Sequence, residues 1–213
     1  MQSNIDLCDG CTNSGGSGNV PDTRNRCLNY GLSDHQVAHR FVLSGLYELP
    51  FGPGKPMLNR GVTGYVLGGW ALSGITTLST GLPITLNLNF DNANTGNVNW
   101  PNRIASGNLD NPGPNRWFDT SAFVFPAQYV QGNAGRNILI GPGTVSTDLS
   151  VQRNFRLPIN EGSRLEFRAE GFNVFNTPQL GQPGATLGAP NFGVIGETAR
   201  SNRQLQFGLR IIF

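Results

Sequence analysis

The sequence contains little charge for its length. Charged residues make up 13% of the 213 residues, against roughly 25% in an ordinary soluble domain. Lys55 is the only lysine among fifteen basic residues, and the net charge is +2. The chain has no basic run and no RNA-binding signature, whereas nucleic-acid-binding domains usually carry a basic patch. We therefore predict that nucleic acid is not a partner.

Long apolar runs are missing as well. No stretch of about 18 apolar residues exists, so we expect no membrane-spanning helix. The first twenty residues lack the basic segment and apolar core of a secretory signal peptide. Helical periodicity is equally scarce, because 29 glycines and 14 prolines interrupt nearly every window. The sequence therefore predicts neither a helical fold nor a leader at the start of this chain.

Catalytic motifs are not found either. The chain has no G-x-S-x-G elbow, Walker motif or dinucleotide fingerprint. Glu166 and Glu170 would lie about 13 Å apart on one strand, which exceeds the carboxylate separations of glycosidases. His35 and His39 lead into a predicted strand without a third ligand, so we interpret them as loop residues. The sequence thus predicts no enzyme, no cofactor and no metal site.

The three cysteines, Cys8, Cys11 and Cys27, all lie in the N-terminal segment rich in Gly, Ser and Asn. Three interpretations are open. A disulfide from Cys27 to Cys8 or to Cys11 would close a loop and leave one thiol over. The thiols would otherwise stay unpaired, or they would bind zinc together with His35. A redox Cys-x-x-Cys motif usually accompanies a βαβ unit, and none is predicted here.

Alternation of polar and apolar residues is the pattern that the sequence does contain. It recurs in five segments separated by Gly- and Pro-rich stretches, namely 39–50, 68–86, 147–157, 163–175 and 203–213. Soluble strands have about five or six residues, whereas tilted strands of about 9–11 residues span a bilayer. The sequence therefore predicts an all-β fold, an antiparallel transmembrane β-barrel segment of about five long strands.

The connections between these strands alternate in length. The predicted turns 50–63 and 157–163 are short, and the segments 1–35, 87–146 and 177–202 are long. Because 87–146 is rich in Asn, Gly and Pro, we expect mostly irregular loop there. Outer-membrane barrels have short periplasmic turns and longer extracellular loops. We therefore assign the short turns to the periplasm and the long loops to the cell exterior.

Two rows of side chains indicate the two environments of a barrel wall. The predicted lumen-facing row alternates in charge and consists of Arg164, Glu166, Arg168 and Glu170. The predicted lipid-facing row is apolar and consists of Leu205, Phe207, Leu209, Ile211 and Phe213. The charged row does not distinguish a barrel from a soluble sheet, which would expose the same row to water. The assignment to a membrane barrel therefore depends on the apolar row. Arg153 interrupts another apolar row, and we expect it to reach out at a membrane interface.

The end of the chain, QFGLRIIF, resembles the C-terminal signal of outer-membrane β-barrels. The matching features are Gln206, Gly208, the apolar Ile211 and the terminal aromatic Phe213. The resemblance implies that the barrel-assembly machinery binds these residues. Ile211 departs from the family pattern, in which an aromatic is commoner at that position.

Several internal stretches resemble the barrel of TonB-dependent receptors, in particular the Oar-like group. They are GGWALSGITTLSTGLPIT, WFDTSAF, GNAGRNILIGPG with TDLSVQRNF, and LEFRAEGFNVFNTP. The resemblance covers residues 36–213, and residues 1–35 are assigned to an extracellular loop. It implies a barrel of about 22 strands in outer-membrane lipid. It further implies a plug domain and an interaction with TonB, both of which would belong to an N-terminal part that is missing from this sequence. It also implies an unknown large ligand, for which we expect contacts around Asn87–Trp117.

Five strands are too few to close a barrel, because single-chain bacterial barrels have at least about eight. An open sheet would leave bare edges in the membrane, so we expect an incomplete barrel fragment from a larger receptor. Alternatives stay open: a symmetric oligomer of short chains, a surface adhesion or structural protein of the outer membrane, and a soluble β-sandwich binding module.

Overall fold

A computed structural model describes residues 5–6, 30–52, 54–57, 61–97, 99–159 and 162–213. Its secondary structure is mostly β, as the alternation predicts. The five long strands are β1 (Arg40–Glu48), β2 (Trp70–Ser79), β3 (Thr144–Arg156), β4 (Arg164–Phe172) and β5 (Gln204–Ile212). The prediction of an all-β fold with about five long strands is therefore confirmed.

The five long strands form one open sheet in the order β5-β4-β3-β2-β1. Strands that follow each other in the chain thus lie side by side. β4 pairs antiparallel with β3 on one side and with β5 on the other. The β3–β4 turn is tight, because the amide of Leu157 donates to the carbonyl of Ser163 at 2.9 Å. This up-and-down order is the one found in outer-membrane barrels.

A short helix, α1 (Gly61–Leu67), precedes β2. The sequence predicted a turn as far as residue 63, because the glycines within α1 are poor helix formers. The helix ends at Gly68 and Gly69, and Gly69 has a φ of 76°, the left-handed conformation that commonly terminates helices. Among the residues that the structure describes, no helix is long and apolar enough to cross a membrane.

The chain divides into two compact units. The sheet unit comprises residues 40–78, 145–178 and 201–213, and it holds the five long strands except for Ser79 and Thr144 at their ends. The loop unit comprises residues 1–39, 79–144 and 179–200. The loop unit is therefore built from the long segments that the sequence assigns to the cell exterior.

Short paired strands connect distant parts of the loop unit. Gly31–Leu32 pairs with Ile5–Asp6, Pro83–Ile84 with Leu139–Ile140, Asn102–Arg103 with Phe123–Val124, and Thr186–Leu187 in parallel with Asn87–Leu88. A 3-10 turn spans Thr120–Ala122. The expectation of a mostly irregular loop over 87–146 was thus incomplete, because this segment folds back on itself and on its neighbours.

A hydrophobic core lies inside the loop unit. Its buried members are Ile84, Leu86, Phe118, Ala122, Phe123 and Leu139. Phe118 packs edge-to-face against Phe123, with ring centroids 5.9 Å apart, and against Phe192 at 5.1 Å. Such aromatic pairs add stability beyond their buried area. Alternation alone could not predict this core, because Phe118, Ala122, Phe123 and Leu139 come from a segment without regular periodicity.

Asparagine side chains replace regular backbone pairing in the loop unit. The Thr85 hydroxyl donates to Asn137 Oδ1 at 2.7 Å, and Asn137 Nδ2 donates to the Leu32 carbonyl and to Asp34 Oδ1, both at 2.6 Å. Arg136 pairs with the same Asp34 carboxylate at 3.1 Å. Buried backbone groups need partners, and the amide of asparagine both donates and accepts. The Asn-rich composition therefore accompanies packed irregular structure here.

Candidate functional site

The register of the sheet unit brings the polar rows of three strands together. Glu166 of β4 lies opposite Asn154 of β3 and Arg210 of β5. Arg168 lies opposite Gln152 and Gly208 in the same way. The side chains of this surface, called the polar face, therefore form a ladder across the sheet. The predicted lumen-facing residues Arg164, Glu166, Arg168 and Glu170 all belong to it.

Ion pairs run along the polar face. Arg164 Nε lies 2.9 Å from Glu166 Oε1, and Arg168 Nη1 lies 3.6 Å from Glu170 Oε1. At least one partner of each pair is half exposed, so each pair contributes about 0–1 kcal/mol. Their alternating sign keeps a dense row of charges nearly neutral.

The polar face lines a groove with a volume of about 640 Å³. Its polar and charged lining residues include Glu48, Lys55, Gln152, Glu166, Arg168 and Arg210. The single lysine of the chain lies at its rim, where Lys55 Nζ contacts Glu48 Oε2 at 2.7 Å. The groove is chemically suited to a polar neighbour with charges of both signs. Lys55 stands out in the sequence as the only lysine, but its place in this groove was not predicted, because Lys55 lies in a turn without alternation.

The opposite surface of the sheet, called the apolar face, is most exposed along β5. Leu205, Phe207 and Leu209 of β5 have 65%, 71% and 67% of their surface accessible. They pair with Gly171, Ala169 and Phe167 of β4, so the apolar row continues across strands. A continuous exposed apolar surface is rare on soluble proteins and marks contact with a membrane or a partner.

Arg153 is the exception on the apolar face. It lies opposite Phe167, yet its side chain is only 6% exposed. Its guanidinium carbon lies 4.0 Å from the ring centroid of Phe155 and 5.5 Å from that of Trp70, and Nη1 donates to the Val66 carbonyl at the end of α1. The expected outward reach of Arg153 is therefore wrong. The guanidinium is covered by α1, which sequence periodicity did not predict.

The four residues of the predicted assembly signal lie on both faces of β5. Gln206 and Gly208 are opposite Glu170 and Arg168 on the polar face, and Ile211 is opposite Leu165 on the apolar face. Phe213 follows the last residue of β5 and has 91% of its surface exposed. The aromatic side chain is thus accessible to another protein. Recognition by the assembly machinery stays a prediction.

Two carboxylates in the loop unit are held by hydrogen bonds near the region expected to contact ligand. The Gly96 amide donates to Asp91 at 2.7 Å, and Asn99 donates at 2.6 Å. These bonds, the one from Gly96 foremost, hold the pKa of Asp91 below its ordinary value.

The same cause acts at Asp119, just after that region. The Ser121 hydroxyl donates to its carboxylate at 2.8 Å, and Arg116 lies 2.5 Å away. The hydroxyl of Ser121, followed by the guanidinium of Arg116, lowers the pKa of Asp119. Both carboxylates thus act as acceptors that order loop backbone.

The residues considered for metal binding do not form a site in the described part of the chain. No group of three or more His, Cys, Asp or Glu side chains is close enough together there to hold an ion. His35 lies in a turn, and the His39 amide donates to Thr80 Oγ1 at 3.1 Å. The predictions for Cys8, Cys11 and Cys27, including the possible Cys8–Cys27 disulfide, lie outside the described residues.

Comparison with protein families agrees with this geometry. The model of the outer membrane beta barrel domain family matches residues 3–206. The chain belongs to this outer-membrane β-barrel family, and its location is the outer membrane of Gram-negative bacteria. No curated protein and no solved structure matches the chain. The outer-membrane location accounts for an exposed apolar face, which the soluble β-sandwich alternative does not.

Proposed function

We propose that the chain forms the C-terminal strands of a TonB-dependent receptor barrel that takes up a large ligand. The observation that supports this proposal best is the open five-stranded sheet, apolar on one face and charged on the other. In a closed barrel, the apolar face would contact lipid, and the polar face would line the lumen. Further strands of the same receptor would pair with the edge strands β1 and β5.

The polar face suits the role of a lumen wall beside a plug. Its groove carries both signs of charge, and its ion pairs lie within single strands, so each cation and each carboxylate retains bonding capacity for a neighbour. A plug domain and TonB would act through an N-terminal part of the receptor. The proposal assigns no catalysis and no cofactor to the chain, and it names the barrel-assembly machinery as the partner of Gln206, Gly208, Ile211 and Phe213.

Fractionation of native cells tests this proposal. An antibody against loop 87–146 should detect a band many times heavier than 22.9 kDa in the outer membrane. Formaldehyde treatment before lysis should shift that band into a complex that an anti-TonB antibody also detects. A 22.9 kDa band in the membrane would favour an oligomer of short chains, and a heavy band without a TonB complex would contradict the transport function.

The C-terminal signal has its own test. Deleting Phe213 from the full-length protein should lower its yield in the outer membrane, because the terminal aromatic would no longer be presented to the assembly machinery. Phe175→Ala, which removes another exposed aromatic of the sheet unit, is the matched control. Unchanged yield after deletion of Phe213 would contradict the signal assignment.

Surface adhesion is the second candidate function. It is favoured by the loop unit, which has a hydrophobic core of its own and is therefore a folded structure suitable for display outside the cell. Adhesion predicts that exchanging 87–146 for a short linker abolishes cell attachment without affecting uptake of any solute. Loss of uptake with normal attachment would favour the receptor instead.

A further inference from the structure

We infer that α1 and the Arg153 cluster form a membrane-interface anchor whose partner is the phospholipid of the periplasmic leaflet. The anchor consists of α1, Arg153, Trp70 and Phe155. The inference depends on the membrane location of the apolar face, and it does not depend on transport.

The depth of the cluster supports an interface position. Trp70 is the first residue of β2, and Arg153 lies three residues before the end of β3. At about 3.3 Å per residue, Arg153 is within roughly 10 Å of the strand end. That end leads into the turn 157–163, which we assign to the periplasm. Aromatic residues of barrels concentrate at such depths, where the hydrocarbon meets the headgroups.

At the end of α1, both a terminal helix carbonyl and the cationic side chain of Arg153 have hydrogen-bond partners. The last carbonyls of a helix have no partners within the helix, and they carry partial negative charge that favours a nearby cation. The Val66 carbonyl accepts from Arg153 Nη1 and from Trp70 Nε1, the latter at 3.3 Å. A cation that would otherwise face hydrocarbon is thus bonded to protein. Aromatic rings on the same face flank the guanidinium.

The outer surface of α1 provides the lipid contact. Val62 and Val66 are four residues apart, so they lie on the same side of the helix. Val62, Val66 and Leu67 have 78%, 52% and 48% of their surface exposed, and α1 has no charged residue. Through Val66 the helix is bonded to the apolar face, so its exposed side chains extend a surface that the membrane already covers. Phospholipid acyl chains are therefore the partner that fits.

Spin labelling of the full-length protein in isolated outer membranes tests this inference. A nitroxide is placed at Val62→Cys after Cys8, Cys11 and Cys27 are replaced by Ser, and collision rates with oxygen and with a soluble nickel complex are compared. Phe207→Cys on the apolar face is the lipid reference, and Asn115→Cys in the loop unit is the water reference. We expect the ratio of the oxygen collision rate to the nickel collision rate to be several-fold higher for the label at 62 than for the label at 115. The same ratio should place the label at 62 at a shallower depth in the membrane than the label at 207.

Nickel accessibility at 62 equal to that at 115 would overturn the anchor. If the label at 207 were also accessible to nickel, the membrane location of the apolar face itself would fail, so the two failures are distinguishable. A second measurement uses Arg153→Leu, which removes the bond to the Val66 carbonyl. Label mobility at 62 should rise while mobility at 207 stays the same, and unchanged mobility at 62 would contradict the role of Arg153.

Discussion

Leucine and phenylalanine side chains are buried in the core of the loop unit and exposed on β5 of the sheet unit. In the loop unit, Leu86 and Phe118 are 0% and 1% exposed, whereas Leu205 and Phe207 of the sheet unit are mostly exposed. Apolar side chains are buried wherever water is the alternative, and in the proposed barrel lipid would give β5 an apolar surrounding without burial inside the protein. Since the residue types are the same, the difference in exposure is the one expected if the apolar side chains of β5 face lipid and those of the loop unit would otherwise face water.

Backbone hydrogen bonding differs between the units as well. The central strand β4 satisfies its amides and carbonyls with the neighbouring strands on both sides, as a segment surrounded by hydrocarbon requires. The loop unit satisfies many of them with asparagine side chains such as Asn92, whose amide donates to the carbonyls of Ala127 and Val130. Irregular backbone of this kind is suited to an aqueous exterior.

Phe118→Ala should have the largest effect, and it should destabilise the loop unit alone. Truncating a buried Phe costs about 3–5 kcal/mol, so we expect loops in intact cells to become sensitive to proteinase K. The sheet should still assemble, as measured by heat-modifiable migration. Phe207→Ala is the control, and it should leave protease resistance unchanged. Equal sensitivity in both variants would contradict separate hydrophobic environments.

Phe207→Lys should have the next largest effect, and it should destabilise the sheet unit. Phe207 is the fourth residue of the nine in β5, and a lysine on the lipid face near the bilayer midplane costs about 2–4 kcal/mol. We expect lower urea resistance and lower outer-membrane yield. Gln204→Lys on the polar face of the same strand, outside the predicted assembly signal, should be tolerated. Identical losses in the two variants would reverse the assignment of faces.

Asn137→Ala should have an intermediate effect confined to the loop unit. It removes the acceptor of Thr85 and the donor to Leu32 and Asp34, and leaving buried polar groups unpaired costs about 1–3 kcal/mol. Asn115→Ala, an exposed loop position, is the control. Proteinase K sensitivity of loops should rise for the first variant alone. Equal resistance in both would show that the Asn137 bonds are dispensable.

Acidification should give the smallest effect, again confined to the loop unit. The folded-state pKa values of Asp91 and Asp119 are lowered, so their contribution to stability is fully present above the ordinary pKa of about 3.9. It is lost as the pH falls below that value and through the lowered folded values. Protease resistance of the loops should therefore decline below about pH 4.

The Asp91→Asn, Asp119→Asn double variant should flatten this decline. Asp110→Asn, which changes another exposed loop carboxylate, should retain it. A decline of the same steepness in the double variant would mean that other groups cause the acid sensitivity.

Sequence alone determined the five long strands and the residues that share a face, because alternation is a local property with a period of two residues. The charged row from Arg164 to Glu170 and the apolar row from Leu205 to Phe213 were readable for that reason. The second predicted segment, 68–86, was too long, since β2 ends at Ser79. The antiparallel pairing of β1 with β2 and of β3 with β4 followed from the short turns 50–63 and 157–163. Arg153 was visible as a violation of its row, but its partner was not.

Tertiary structure alone decided what covers Arg153 and what fills the loop unit. The Val66 carbonyl reaches Arg153 across 87 positions of the chain, and Phe118 meets Phe192 from a separate loop. No period in the sequence encodes such contacts, because each of them joins an irregular segment to a part of the chain that is distant in sequence. Local patterns therefore specified the five-stranded sheet of this protein, and long-range packing specified its loop unit.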